Sequence, residues 1–163
     1  LYTLVLYGFQ QQIRFNRDHG FNNPIGSRWF NEHLLSKFIT FARCSKSKNV
    51  EYLNVSFERL INRINPDTFV YADPPYRSTL GVYNDGKRGF EGWTKEHEQR
   101  LCLFLDYVHQ HEAKFMLSYV LQVDNFYNAD VANWAKRNGY RIIDIEVSQG
   151  RYNNRREILI INY

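Results

Sequence analysis

The chain is short of cysteine, of long apolar runs and of phosphate-binding glycine patterns, and each shortage excludes a class of protein. Its two cysteines, Cys44 and Cys102, lack CxxC spacing and a suitably placed histidine, which argues against a disulfide framework or a zinc site. The five histidines show no ligand spacing, so no metal is predicted. No apolar run approaches the ~20 residues of a membrane helix, so a cytoplasmic protein with no membrane partner is expected. Neither GxGxxG nor GxxxxGKS/T occurs, which excludes the common phosphate cradles.

What is present is an aromatic-rich, unevenly charged sequence. Apolar residues make up 44% of the 163 residues and aromatic residues 17%, which is typical of a folded domain. The net charge of +4 arises entirely in the first sixty residues, where eight Lys/Arg face four Asp/Glu; the remainder has thirteen of each. A basic lobe beside a neutral one favours binding to a polyanion such as nucleic acid, with ordinary surface charge as the alternative.

Residues 1–65 are predicted to form a small, mainly helical lobe. After an opening helix and an irregular stretch, apolar residues recur at helical spacing from Phe30 to Ala42, and Asn31 is the expected N-cap. Val50–Val55 is a candidate strand, and Ser56 is placed to cap a short helix. The aromatic residues before position 31 are expected to be mostly core, with some available to stack on bases.

Residues 66–163 alternate strands and helices. Thr94 is predicted to cap a helix whose apolar stripe ends at Val108, and Gly139 to follow a second helix over Val131–Asn138. The expected strands are Thr68–Ala72, Lys114–Tyr119, Arg141–Val147 and Arg156–Asn162, the last two forming a hairpin. This order predicts an α/β open sheet with parallel strands and an antiparallel edge.

The most informative motif, Asp73-Pro74-Pro75-Tyr76, directly follows a predicted strand. Ligand chemistry in such sheets occurs at the carboxyl ends of strands. Two prolines fix the backbone, so a carboxylate, a carbonyl and an aromatic ring are held in one place. Asp73 and the Pro74 carbonyl can accept both hydrogens of a nucleobase amine, which makes its nitrogen more nucleophilic, while Tyr76 can stack on the extruded base. A capped proline turn without catalytic function is the alternative.

Several segments, taken in order, resemble Dam-type DNA adenine-N6 methyltransferases, particularly the phage-type members. Arg14-Phe15-Asn16 and the stretch from Gly20 to Arg28 resemble the family's target-recognition segment. Phe69–Tyr76 resembles its catalytic motif with the preceding strand. Further similar segments are Tyr83-Asn84, Trp93-Thr94 with Glu98 and Leu101, and Glu157–Tyr163.

The resemblance implies a partial Rossmann-like methyltransferase sheet with a helical target-recognition lobe. Asp73, Pro74, Pro75 and Tyr76 would bind and activate a flipped adenine in double-stranded DNA, with Asp73 also near the cofactor, S-adenosyl-L-methionine. The expected DNA contacts are Arg14, Asn16, Asn22 and Arg28, and Arg28 would read a guanine through its two-pronged guanidinium. A GATC site and a bacterial or phage origin follow by the same analogy.

The chain also departs from the family pattern. The glycine-rich cofactor loop and the acidic ribose-binding residue, which precede the recognition segment in the family, are absent, and Ser118-Tyr119 stands where Ser-Asn is usual. We therefore expect most of the cofactor pocket to lie outside this chain. Residues 68–72 should then present an unpaired edge and an uncovered apolar face, favouring association with another segment or another copy of the chain.

Two other hypotheses remain at this stage. Similar Pro-Pro shelves serve methylation of RNA adenine, cytosine N4 and protein glutamine. The chain could also be a non-catalytic DNA-binding remnant that retains the lobe without a working cofactor half.

Overall fold

The computed structural model describes residues 2–16, 18, 20–77, 93–145 and 155–163. The chain divides into two compact units between Asn54 and Val55, whereas the sequence prediction placed the division after residue 65. The difference arises because the 3₁₀ helix Phe57–Arg63 belongs to the second unit, where the Phe57 ring packs 5.4 Å from that of Phe104. In the described ranges, no helix combines the length and apolarity needed to cross a membrane.

The first unit contains helix α1, Tyr2–Tyr7, a 3₁₀ turn at Phe9–Gln11, and helix α2, Glu32–Ser47. Asn31 caps α2 as predicted, since its side-chain oxygen accepts from the backbone N–H of Leu34 at 3.0 Å. The aromatic residues before α2 were wrongly expected to be mostly core, because five of them are exposed: Tyr7, Phe9, Phe21, Trp29 and Phe30.

The candidate strand Val50–Val55 is not formed. These residues have no strand partner in the described part of the chain, and an isolated extended segment is not stable in water. Ser56 lies at the N-cap position of the following 3₁₀ helix, but its hydroxyl donates to the Glu58 side chain instead of capping the backbone.

In its described residues, the second unit contains two α-helices and five strands besides the 3₁₀ helix, close to the predicted order. The helices are α3, Lys95–Gln110, and α4, Ala129–Arg137. The strands are β1, Phe69–Ala72; β2, Lys114–Val123; β3, Phe126–Tyr127; β4, Arg141–Ile145; and β5, Arg155–Ile161. Thr94 caps α3, and Gly139, with φ at +71°, follows α4 in the left-handed conformation that glycine adopts without strain. The segment Tyr83-Asn84, which resembles the family pattern, lies outside the described residues.

The sheet has the strand order β1-β2-β5-β4, with β3 paired to β2. β1 and β2 are parallel, with Ala72 opposite Leu117, and β5 is antiparallel to both β2 and β4. This confirms the mixed α/β sheet and the hairpin-like relation of β4 and β5, but the antiparallel strand β5 lies between β2 and β4 and not at the predicted edge. β2 is longer than predicted because it continues to Val123 and pairs with β3 there.

The core of the second unit lies on one face of this sheet. The stripe predicted on α3 is buried, and it packs against alternate residues of β2 and β5. The buried strand residues on this face are Phe115, Leu117, Tyr119, Leu121, Ile158 and Ile160. The helices therefore hold β1 and β2 in place, and with them the segment that follows β1.

Candidate active site at the end of the first strand

Asp73-Pro74-Pro75-Tyr76 leaves the sheet where β1 ends. Its placement follows from the sequence, because two prolines cannot continue the hydrogen-bond ladder that β1 makes with β2. The Asp73 side chain is exposed, whereas Tyr76 contacts Ser118 and Tyr119 of β2. The predicted position at a carboxyl strand end is therefore observed.

Asp73 and Tyr76 are brought together by a direct hydrogen bond. The Tyr76 hydroxyl donates to Asp73 Oδ1 at 2.9 Å, and its ring meets the Tyr119 ring edge-on, with centroids 5.5 Å apart. Partial burial, followed by the bond to Asp73, raises the pKa of Tyr76 to about 12. Tyr76 is consequently a neutral donor at physiological pH. It is half-buried, and it packs against the core of the second unit.

Ser118, which matches the family pattern, and Tyr119, which departs from it, both contact Tyr76. The Ser118 side chain hydrogen-bonds to the Tyr76 hydroxyl and opposes the rise in its pKa. Tyr119 lies 2% exposed beneath Tyr76 and supplies the ring on which it packs. The predicted catalytic tyrosine is therefore contacted by two neighbouring residues of β2.

The buried carboxylate of Glu98 contacts Tyr119. Its side chain is 3% exposed, and it accepts from Arg77 at 2.9 Å, from Asn128 at 2.7 Å and from the Tyr119 hydroxyl. Burial and the Glu98 carboxylate together raise the pKa of Tyr119. The sequence analysis did not single out Glu98 for this role. The available signal was its spacing, since it lies three residues before Leu101 on the apolar stripe of α3, where a charge is unusual.

The predicted DNA-contacting residues lie in the first unit. Arg14 and Asn22 are paired: Arg14 Nε donates to Asn22 Oδ1 at 3.2 Å, and Nη2 donates to the Asn22 carbonyl at 3.3 Å. Between them, Phe15 and Phe21 form an antiparallel bridge, with their rings packed edge-on at 6.1 Å. Arg14-Phe15 and Phe21-Asn22 thus pair as the two arms of a small hairpin.

Asn16 closes this hairpin. Its side-chain oxygen accepts from the backbone N–H groups of Asp18 at 3.0 Å and Gly20 at 2.7 Å. Such asparagine turns are a common local use of the side chain. Asn16 therefore has a structural function that the sequence analysis did not assign.

Arg28 is exposed. It follows a segment, Pro24–Gly26, whose backbone lies against that of Tyr7–Phe9. The Gly26 N–H donates to the Tyr7 carbonyl at 2.7 Å, and Phe9 N–H to the Pro24 carbonyl at 2.8 Å. A Cβ added at Gly26 would lie 2.7 Å from the Gly8 carbonyl oxygen, so only glycine fits this approach. In the described ranges, no cluster of three or more His, Cys, Asp or Glu side chains could hold a metal ion.

Comparison with known proteins gives a consistent result. Residues 1–149 match the model of the D12 class of N6 adenine-specific DNA methyltransferases. The modification methylase LlaI of Lactococcus lactis subsp. lactis is 39% identical over 166 aligned positions, covering 100% of this chain. The type II methyltransferase M.FokI of Planomicrobium okeanokoites is 35% identical, and the modification methylase StsI of Streptococcus sanguinis 31% identical, again over the whole chain. The chain spans 26% of the length of each of these relatives.

Proposed function

The chain belongs to the D12 class of N6 adenine-specific DNA methyltransferases, and we propose that it carries the base-activating and DNA-contacting residues of an enzyme that methylates adenine N6 in duplex DNA. The methyl donor in this proposal is S-adenosyl-L-methionine. The sheet is proposed to be part of a Rossmann-like methyltransferase fold. Family membership favours DNA adenine over the RNA, cytosine and protein acceptors that the Pro-Pro motif alone leaves open.

The observation that carries the proposal is the exposed carboxylate of Asp73, fixed at the end of β1 beside a neutral Tyr76. Asp73 and the Pro74 carbonyl accept the two hydrogens of the adenine amine and draw its lone pair out of conjugation with the ring. Pro75 restricts the backbone between them and Tyr76. The Tyr76 hydroxyl holds the carboxylate, and the accessible part of its ring contacts the flipped base.

The described residues fit one part of a cofactor site. S-adenosyl-L-methionine is cationic at its sulfonium and ammonium groups and, when bound, supplies an electrophilic methyl group. Asp73 is an exposed anion that no basic side chain neutralises in the described part of the chain. It can therefore lie near that positive charge while it holds the amine.

Target recognition is proposed for the first unit. Arg28 is exposed and can reach a guanine edge with two parallel hydrogen bonds. Arg14 and Asn22 form a pair with fixed orientation, which suits a backbone contact that sets the register on the duplex. Asn16 supports the hairpin that carries them and is proposed to contact the same strand. GATC is the first sequence to test.

Methyl transfer by the full-length protein tests the proposal. Duplex DNA, RNA and a glutamine peptide are compared as acceptors of a radiolabelled methyl group, and the product is digested to nucleosides to identify the methylated base. Asp73→Asn is expected to lower kcat by about 10²–10³-fold, the usual cost of losing one positioned electrostatic contact. Asp67→Asn is the matched control, because Asp67 is an exposed aspartate before the other end of β1. Equal methyl transfer by both variants would contradict the proposed role of Asp73, whereas DNA binding without methyl transfer by the unmutated protein would support the non-catalytic remnant.

A further inference from the structure

Glu98 forms the centre of a buried polar network behind the Asp73–Tyr76 segment. The network comprises Glu98, Arg77, Tyr119 and Asn128, which come from α3, from the segment after β1, from β2 and from the start of α4. An isolated carboxylate at this depth would be costly, since burying an unpaired charge is strongly unfavourable. Here it accepts three hydrogen bonds and is neutralised by Arg77, whose side chain is 22% exposed.

Two connections lead from Glu98 to Tyr76. The first runs through the backbone, because Arg77 is the next residue and its guanidinium is fixed at 2.9 Å from Glu98 Oε2. The second runs through packing, because the Tyr119 hydroxyl bonds to Glu98 while its ring supports the edge of Tyr76. Glu98 therefore restrains the backbone of Tyr76 through Arg77 and its ring through Tyr119.

Asn128 makes the arrangement rigid from the opposite side. Its amide donates to Glu98 at 2.7 Å and to the Tyr119 hydroxyl at 3.2 Å, while its oxygen caps α4 by accepting from Val131 N–H at 3.2 Å. A second acid, Asp130, accepts from Arg77 at 3.2 Å and pairs with Lys95 at 2.9 Å. Arg77 consequently retains a carboxylate partner if Glu98 is neutralised.

We propose that Glu98 is a positioning residue for methyl transfer, which fixes Tyr76 and, through it, the Asp73 carboxylate in the orientation that receives the adenine amine. Glu98 does not touch the base, because it is buried beneath Tyr119. This inference rests on the proposed function of Asp73. Glu98, a buried residue of α3, thereby contributes to methyl transfer, which a buried ion pair with a structural function alone would not do.

The experiment compares Glu98→Gln with Asp106→Asn in the full-length methyltransferase. Asp106 is a matched control because it is also on α3 and accepts two hydrogen bonds from aromatic side chains, from Trp134 Nε1 at 2.9 Å and from the Tyr140 hydroxyl at 2.8 Å. It has no contact with the Asp73–Tyr76 segment. Both variants are expected to lower the unfolding temperature. Only Glu98→Gln should lower kcat, by about 10–100-fold, the range expected when a reacting group is misplaced by a fraction of an ångström to 1 Å.

Separate measurement of kcat and KM distinguishes a positioning function of Glu98 from a general loss of folded protein. With enzyme concentration corrected for the folded fraction, Glu98→Gln should leave the KM for DNA within about threefold, since Glu98 makes no uniform binding contact. Equal kcat for the Glu98→Gln and wild-type enzymes would overturn the proposal, as would an equal loss of kcat in Asp106→Asn. If Glu98→Gln does not fold, Arg77→Gln and Tyr119→Phe each remove one partner of Glu98 and should each lower kcat by a smaller factor.

A second readout does not depend on activity. A crystal structure of Glu98→Gln should show the Tyr76 ring and the Asp73 carboxylate displaced from their wild-type positions, because the side chain that holds Arg77 and the Tyr119 hydroxyl has lost its charge. If this change occurs and the wild-type protein transfers no methyl group, the network exists and the proposed function fails. If the wild-type protein is active and kcat is insensitive to Glu98, the positioning inference alone fails.

Discussion

Tyr76 combines two environments within one side chain: its hydroxyl bonds to an exposed carboxylate, and its ring packs against the buried Tyr119. Removing it from water disfavours the phenolate, and the Asp73 charge acts in the same direction. The neutral hydroxyl therefore remains a donor to Asp73 throughout the physiological pH range. This pairing keeps the carboxylate oriented while its second oxygen is available to an amine.

The raised pKa of Tyr76 predicts a pH-dependent contribution to stability. Its folded-state pKa is about 12 against an ordinary value of 10.0, so the contribution is complete below pH 10 and is lost as pH rises toward 12. Urea unfolding of the wild-type protein and Tyr76→Phe, at several pH values from 8 to the alkaline limit, measures this. The difference in unfolding free energy between the two proteins should shrink above pH 10. A difference that stays constant would show that the hydroxyl titrates normally.

Substitution of Arg28 distinguishes a contact with a base from a contact with a phosphate. Arg28→Ala should reduce discrimination against a substituted guanine in the methylated site by about 1–3 kcal/mol, the value of one bidentate guanine contact. Binding to variant duplexes, measured at several salt concentrations after the methylated adenines have been mapped, gives this value. Arg43→Ala, an exposed arginine of α2, is the control. A uniform loss across all duplexes in Arg28→Ala would indicate a phosphate contact instead.

At the scale of single elements, the stability of the first unit depends on the close approach of the backbone at Gly8 and Gly26. Gly26→Ala would place a Cβ 2.7 Å from the Gly8 carbonyl oxygen and 3.2 Å from Phe9 Cα, both of which are backbone atoms that cannot move independently. We expect a destabilisation of about 1–3 kcal/mol, typical of overpacking, together with weaker DNA binding. Thermal unfolding and DNA titration measure the two effects.

Gly20→Ala is the corresponding control for that prediction. A Cβ at Gly20 would meet only the Asn16 side chain, at 3.3 Å, and that side chain can move by a few tenths of an ångström. Its effect on unfolding and on DNA binding should be the smaller of the two. Equal effects would mean that the crossing of Gly8 and Gly26 does not fix the first unit.

Local patterns were sufficient to predict α2, α3 and α4, because caps and apolar stripes are encoded within a few residues. Asn31, Thr94 and Gly139 all occupy the predicted capping positions. The candidate strand at 50–55 failed because strand formation depends on a distant partner, which the local sequence does not specify. For the same reason, nothing within β1 indicated that its following segment would pack on Tyr119.

The candidate site shows the same limit. The position of Asp73 at a strand end could be predicted, since the prolines that stop the strand are adjacent in sequence. The Arg14–Asn22 pair and the turn function of Asn16 depend on how residues 14–22 fold back. Glu98 could be recognised as unusual by its spacing, but its three partners come from three other parts of the chain.

At the scale of the whole molecule, the sheet of the second unit has two unlike faces in the described part of the chain. One face is covered by α3 and α4. The opposite face presents Phe69 and Tyr71 of β1 at 53% and 58% exposure and the exposed Ile143 and Ile145 of β4, the strand at the other end of the described order. β1 also pairs on one side only among the described strands. Exposed apolar surface of this kind, next to an unpaired strand edge, is typical of a surface that another segment or molecule covers.

We therefore predict that these 163 residues, prepared alone, self-associate and bind S-adenosylmethionine weakly. Light scattering at increasing protein concentration should show dimers or larger species, because hydrophobic burial at the uncovered face outweighs the modest net charge. Tyr71→Lys should shift the distribution toward monomer, because it places a charge within the apolar part of that face, next to the unpaired edge of β1. Leu103→Lys is the control, since Leu103 is 67% exposed on α3, away from the sheet. A monomer with micromolar cofactor affinity would mean that the face needs no partner and that these residues alone form the cofactor pocket.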